Sequence, residues 1–320
     1  MNSAPGKLIL AGEHAVVYDQ PALAMPIAAL RASVVAEPAP SGAGMTVHAP
    51  DLGLVWRLRA TAPLSDLAQR TLDYLQLPEP DLCLTISSSI PIASGMGSGA
   101  AVGAALVRAL AEQAGQQLAA HVISDLVYQS EKAFHGTPSG IDNTVVAYEQ
   151  PILFQRQAHA DPIIAPLAVG QQWHFVVADS GIASETKAVV GDLRQRWLAE
   201  PDLYNAQFAA VGSLVRQIQV ALAGNAGPEF GQLLSQNHQL LQTLGVSCAK
   251  LDHLVQAALE AGAWGAKMSG AGWGGIMLAL VPAEHAALIQ NQLRAAGAVQ
   301  TWQTSLLPTQ AAEEVTHDHA

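Results

Sequence analysis

The chain has 320 residues, 50% hydrophobic and 13% charged, enough apolar material for one large or two moderate buried cores and too much for a disordered chain. A formal net charge of -11 leaves no basic face to track a nucleic-acid backbone. Cys83 and Cys248 are too few and too far apart for a disulfide framework or zinc site, which suits a reducing cytoplasm, and neither a signal peptide nor an apolar run of the roughly 18 residues that span a membrane is expected.

In chain order, short β-like runs at 7–10, 32–37, 45–48 and 54–58 alternate with turn signals. Leu64, Leu67, Leu72 and Leu75 predict a helix over 64–77, and 82–87 reads as a strand entering a Pro and Gly cluster. Over 98–115 the spacing of Val102, Ala105, Leu106, Ala109 and Leu110 predicts a buried, Ala-rich helix. A second helix at 124–134 runs into HGTPSGIDN. Strands near 151–154 and 173–178 flank a polar, Pro-containing stretch, 155–172, the best place for a boundary between a lobe of residues 1–165 and one of residues 166–320. Helices at 203–222, 230–244 and 251–261, a glycine cluster, a strand at 276–281, a helix at 283–296 and a last strand complete an α+β chain. The tail 313–320, with His317 and His319, reads as solvated rather than metal-binding.

Two glycine clusters stand out. IPIASGMGSGAAVGAAL places Gly95, Gly97, Ser98 and Gly99 between a strand and the start of the Ala-rich helix, where exposed N–H groups and the positive dipole end suit a phosphate. No GxxxxGK[ST] occurs, so this is not a Walker A loop, and the turn alone also fits a dinucleotide fold or plain packing. KMSGAGWGGIM carries Gly270, Gly272, Gly274 and Gly275 before a strand, an entropic cost that calls for close backbone approach or repeated turns at positive φ and favours a substrate or phosphate loop over a plain hairpin.

Three segments, APGKLILAGEHAVVYDQPALAMPI, IPIASGMGSGAAVGAAL and AKMSGAGWGGIMLAL, occur in an order and spacing that resembles the GHMP small-molecule kinases. SEKAFHGTPSGIDN resembles that family's acidic helix and catalytic-Asp loop, SETKAVV its substrate-side Thr motif, and NHQLLQTLGVS with LDHLVQAALEAGAWGAK its C-terminal helices. The run GEHAVVY is similar to the branch that phosphorylates mevalonate rather than to galactokinases or homoserine kinases. The resemblance implies a two-lobed fold, with a first lobe like ribosomal protein S5 domain 2 and a ferredoxin-like α/β second lobe. It also implies ATP and Mg²⁺ as cofactors and mevalonate as the small-molecule partner, and leaves a homodimer open.

By the same resemblance, Asp142 is the base that takes the hydroxyl proton and Lys7 sits beside it and the reacting oxygen. Pro91, Gly95, Met96, Gly97, Ser98, Gly99 and Ala100 wrap the phosphates. Glu131 and Ser98 bind Mg²⁺, which prefers oxygen ligands. Glu13, His14, Thr186, Gly270, Ala271 and Gly272 join Lys7 and Asp142 around the acceptor. One departure matters: the family's GLGSSA is GMGSGA here, so Gly99 stands where the second Ser gives the metal a hydroxyl. An NAD-dependent oxidoreductase would need an acidic ribose partner about 20 residues past the glycine turn, and Glu112 is too early and lies in the predicted helix. A silent sensor of the same fold would have little need for Lys7 and Asp142 together.

Overall fold

The structure is a computed structural model that describes residues 2–58, 63–92, 94–135, 139–157 and 160–309. Its first sheet is built on one long strand, β2 (Pro21–Pro38). β1 (Asn2–Ala11) runs antiparallel along one edge of β2, and β5 (Leu82–Ser88) and β6 (Ile152–Gln157) share the other edge. β3 (Met45–Ala49), parallel to β5, and β4 (Leu54–Arg57) extend one side, and β7 (Ala160–Pro166) ends the other. The second sheet is antiparallel, in the order β11 (Gln300–Leu306), β8 (Trp173–Asp179), β10 (Ile276–Val281), β9 (Gly265–Ser269).

What fixes the site is the burial of β1 on both faces. From Ala4 onward every residue of the strand is buried, Lys7 included. The helices α2 (Ser98–Gln113) and α4 (Ile141–Tyr148) pack against it, and so do β9, α6 (Pro201–Ala223) and α7 (Gly227–Thr243) from the second half. A strand covered on both faces reads as a continuous apolar run, as LILA does, not as an alternation. The main apolar core therefore passes without a break from β1 and α2 into β8, β10 and α6.

Small residues bring α2 close to its neighbours. Ala100, Ala101, Ala104 and Ala105 are buried, and a Cβ on Gly103 would lie 3.0 Å from Leu67 Cδ2 of α1 (Pro63–Leu75). The helix α3 (Ala120–His135) packs on both α1 and α2. In the second half α8 (Ala249–Glu260) and α9 (Ala286–Ala295) cover the sheet, and α5 (Thr186–Ala199) packs on α6.

Several elements differ from the sequence expectation. The stretch 155–172, which shows no strand signal in the sequence, contains the end of β6 and all of β7, whose Pro162 and Pro166 are tolerated because the strand is at a sheet edge. The chain crosses between sheets only after Pro166. α4 is unexpected, since Ile141, Thr144, Val145 and Val146 are poor helix formers; burial of its apolar face overrides that weak preference. α5, with only Val189 and Leu193 buried, and β9, with a lysine at its centre, also lack a clear period. β2 begins eleven residues earlier than residue 32, its first five residues, 21–25, all buried, and residues 283–296 divide into a 3-10 turn (Ala283–His285) and α9. The tail 313–320 lies outside the described residues, as does part of HGTPSGIDN, residues 136–138.

Candidate active site

Lys7 enters the site from the middle of β1. Its Nζ lies 3.1 Å from Asp142 Oδ1 and donates to the Gly95 carbonyl at 2.8 Å, while its backbone N–H donates to the Met96 carbonyl at 2.9 Å. The lysine is thus clamped at both ends by the glycine turn. Asp142 stands in the first turn of α4, after Gly140 in the left-handed region, and its side chain is 35% exposed against 4% for Lys7. One partner is sealed and the other faces the opening.

Gly97 caps α2 with φ +73°, and a Cβ there would lie 3.0 Å from Lys7 Cγ and 3.7 Å from Asp142 Oδ2. Only glycine accommodates both that backbone angle and that proximity. Beyond it Ser98 and Gly99 form the open first turn of α2, where N–H groups have no intrahelical partner. Gly99 is exposed, with nothing within 4 Å of a Cβ. Met96 and Ala100 turn their side chains into the core, so only their backbones face this region. Pro91 braces the turn by accepting a hydrogen bond from Ser94 Oγ at 2.8 Å.

Glu131 reaches the same place from the far end of α3. Burial pushes its carboxyl up to about 7; the negative charge of Asp142 adds to this and the Lys7 ammonium opposes it. Two carboxyl groups and one ammonium therefore share a small volume at the N-terminus of α2. Among the described residues there is no group of three or more His, Cys, Asp or Glu side chains suited to a metal.

The loop after β1 carries Glu13 and His14. His14 has φ +61°, a strained backbone for a non-glycine residue and a common mark of a site under functional constraint. Its Nε2–H donates to the Ala271 carbonyl at 2.8 Å, and burial lowers its pKa to about 4, so the ring is neutral. Four residues on, Tyr18 stacks on Phe208 of α6 with ring centroids 4.1 Å apart, which anchors the loop to the second half. The turn 270–272 lies against the first glycine cluster: a Cβ on Gly270 would be 3.7 Å from the Gly95 carbonyl, and one on Gly275 2.9 Å from that of Ser94.

Glu13 is buried against Lys267 of β9, a residue to which the sequence pattern assigns no role. The available signal is a lone lysine in a strand whose other residues are all apolar or small. Thr186 begins α5 and is exposed, and no hydrogen bond joins it to the Lys7–Asp142 pair. Its segment does approach the second glycine cluster, since Ser184 Oγ donates to the Gly272 carbonyl at 2.7 Å.

The two-sheet α+β fold gathers a glycine turn, a lysine–aspartate pair and a second carboxyl group at a helix N-terminus, a set of charges and open N–H groups suited to a phosphoryl group. Sequence profiles agree with it: that of the GHMP kinases N terminal domain matches residues 64–150, and that of the GHMP kinases C terminal matches residues 218–299. The chain belongs to the GHMP kinase family. It is 35% identical over 302 residues to a mevalonate kinase of Pyrococcus horikoshii, covering 88% of each chain, and 32% identical over 316 residues to one of Thermococcus sibiricus, covering 92% of each. The crystal structure of L. major mevalonate kinase in complex with R-mevalonate superposes with a TM-score of 0.84 at 30% identity, covering 97% of this chain and 96% of that one.

Proposed function

We propose that the protein transfers the γ-phosphoryl group of ATP to the 5-hydroxyl of mevalonate, giving 5-phosphomevalonate and ADP for isoprenoid precursor synthesis. The observation that carries this reading is the placement of the Lys7 ammonium 3.1 Å from Asp142 beside the N-terminus of α2, in a chain similar over nearly its full length to mevalonate kinases. Phosphoryl transfer asks for alignment and charge neutralisation more than for covalent chemistry, and this cluster supplies both.

In the proposed mechanism Asp142 accepts the proton of the attacking hydroxyl as the oxygen bonds to phosphorus, and the departing group leaves as ADP, with no phosphoenzyme. Lys7 stabilises the negative charge that grows on that oxygen. The backbone from Gly95 to Ala100, set at the positive end of α2, takes the phosphates. Glu13, His14, Thr186 and the turn Gly270, Ala271, Gly272 surround the acceptor. The phosphate turn belongs to a lobe of residues 1–165, and part of the acceptor pocket to a lobe of residues 166–320.

The donor set fits Mg²⁺. Glu131 lies close enough to Asp142 that the second carboxylate raises its pKa, a repulsion that a cation would relieve, and the donors are all oxygens. Glu131 and Ser98 would hold the ion, with waters and phosphate oxygens as the other ligands. Bound there, it would neutralise charge across the β- and γ-phosphates. A cytoplasmic location suits the soluble substrates, and no described helix is long and apolar enough to cross a membrane.

A coupled ADP-release assay with mevalonate, phosphomevalonates, homoserine and galactose tests the assignment. Mevalonate should give the highest kcat/KM of the four. A preference for a phosphorylated acceptor or a sugar would replace mevalonate while leaving the class of reaction intact.

A further inference from the structure

The buried lysine of β9 has a role that the proposed mechanism does not use. Lys267 is fully buried, and its ammonium donates to Glu13 Oε1, to the Met268 carbonyl at 2.6 Å and to the Ile9 carbonyl at 3.4 Å. Two residues along on the same face of β9, Ser269 Oγ accepts from the Ile9 N–H and donates to the Ile9 carbonyl, both at 3.0 Å. The pair therefore fastens β9 to β1, two residues from Lys7, and to the loop that carries His14.

Glu13 has one oxygen to spare. Its Oε2 is buried and has no hydrogen-bond partner among the described residues. An orphaned carboxylate oxygen is costly, and it calls for a donor from a ligand or a water. The neighbouring His14 is engaged with Ala271, and Lys267 is turned to Oε1 and two carbonyls, so the described residues offer Oε2 nothing.

We infer that Lys267 is a positioning residue for the reaction: it fixes Glu13 as a ready acceptor for a hydroxyl of the substrate, and with Ser269 it sets the strand that carries Lys7. The inference rests on the proposed kinase function and deepens it at the acceptor side. Burial alone drives the Glu13 carboxyl towards its protonated form and Lys267 towards its neutral form, and each charge restrains the other. Among the described residues, the other charged or titratable groups near the pair are Lys7 from β1, His14 next to Glu13 in the chain, and His238 from α7, which is held 3.1 Å from Asp252 of α8. None of these can replace the ammonium in contact with Glu13.

The test compares Lys267→Met, Glu13→Gln and the double variant, with melting temperature, kcat and the KM values for mevalonate and ATP measured from pH 6 to 9. Lys267→Met should raise KM for mevalonate about tenfold at pH 7, recovering as pH rises, with KM for ATP little changed, since the loss is of one hydrogen bond to the acceptor. Glu13→Gln should raise it similarly at every pH. The double variant, with no buried charge left unpaired, should regain most of the wild-type melting temperature but keep the raised KM for mevalonate. If the double variant regains both, Lys267 is only a staple between the sheets and the inference is overturned. It fails likewise if mevalonate and ATP KM values move together without pH dependence, and Glu13→Gln decides the matter should Lys267→Met fail to fold. No mevalonate-dependent ADP release by the wild-type protein would instead defeat the proposed kinase function.

Discussion

Lys7–Asp142 and Lys267–Glu13 are pairs of the same chemistry whose lysines lie on two strands in contact, yet their surroundings differ. In the first, the lysine is buried but the carboxylate is 35% exposed; in the second, the exposures are 0% and 1%. An ion pair sealed from water is held chiefly because breaking it would strand a charge, and so it fixes geometry. An ion pair with one open partner can exchange that partner for a substrate atom. Exposure of the carboxylate, not its identity, separates the pair proposed to take the proton from the pair proposed to position the acceptor.

The sharpest way to break the comparison is to remove the charge of the open pair. Asp142→Asn keeps the shape and leaves α2 and its glycine turn untouched. Turnover should fall by roughly 10²–10⁴, the usual worth of a positioned general base, while ATP affinity stays near wild type. Single-turnover ADP formation and a direct ATP titration read the two quantities separately, and near-normal turnover would remove Asp142 from the mechanism.

Gly97→Ala asks whether the turn protects the open pair by leaving room for it. The new Cβ would stand 3.0 Å from Lys7 Cγ in a backbone at φ +73°, so it brings strain of about 1–2 kcal/mol and a push on the lysine. The expected outcome is a lower melting temperature and a fall of about tenfold or more in kcat, as misplacement of a reacting group implies. A variant that loses stability but keeps kcat would show that Lys7 does not depend on the turn.

How much of this is legible in the sequence follows the physics. α2 and its glycine turn are readable because an all-apolar helical period and unhindered backbone are local properties. Lys7 is separated from Asp142 and Glu131 by more than a hundred residues, and their meeting depends on β1 being covered from both sides; only the family resemblance joins them. Lys267 escapes because one lysine in a short strand resembles an exposed edge residue until the opposing strand is placed. α4 escapes for a different reason: its β-branched residues argue for a strand, and only tertiary packing outweighs them.

Glu131 sharpens the comparison through pH, as a carboxyl group that belongs to neither pair. Its folded pKa of about 7 lies above the ordinary 4.5, so between those values the native state holds a proton that the unfolded chain lacks. The stability from this group is greatest below the ordinary value and is lost as pH rises through 7. In metal-free buffer the melting temperature of wild type should therefore fall from pH 5 to 8 more steeply than that of Glu131→Gln, which has no such proton to lose. Parallel curves would mean that Glu131 is already ionised and that Asp142 does not crowd it.

The mildest change lies at Gly99, which by the resemblance stands in the place of the second Ser of GLGSSA. Gly99 is exposed in the first turn of α2, and a side chain there meets nothing within 4 Å, so Gly99→Ser should cost no packing. Its φ is also not in the left-handed region, which leaves serine free to adopt the helical backbone. If Mg²⁺ is held by Ser98 and Glu131 with waters completing its shell, a second hydroxyl can displace one of those waters, and the apparent Mg²⁺ affinity should stay the same or rise by a few-fold at most. Titrating Mg²⁺ against turnover at saturating ATP and mevalonate measures this. A large loss of activity with an unchanged melting temperature would mean that the ion does not sit between Ser98 and Glu131, because an added oxygen ligand beside a correctly placed cation has no reason to harm it.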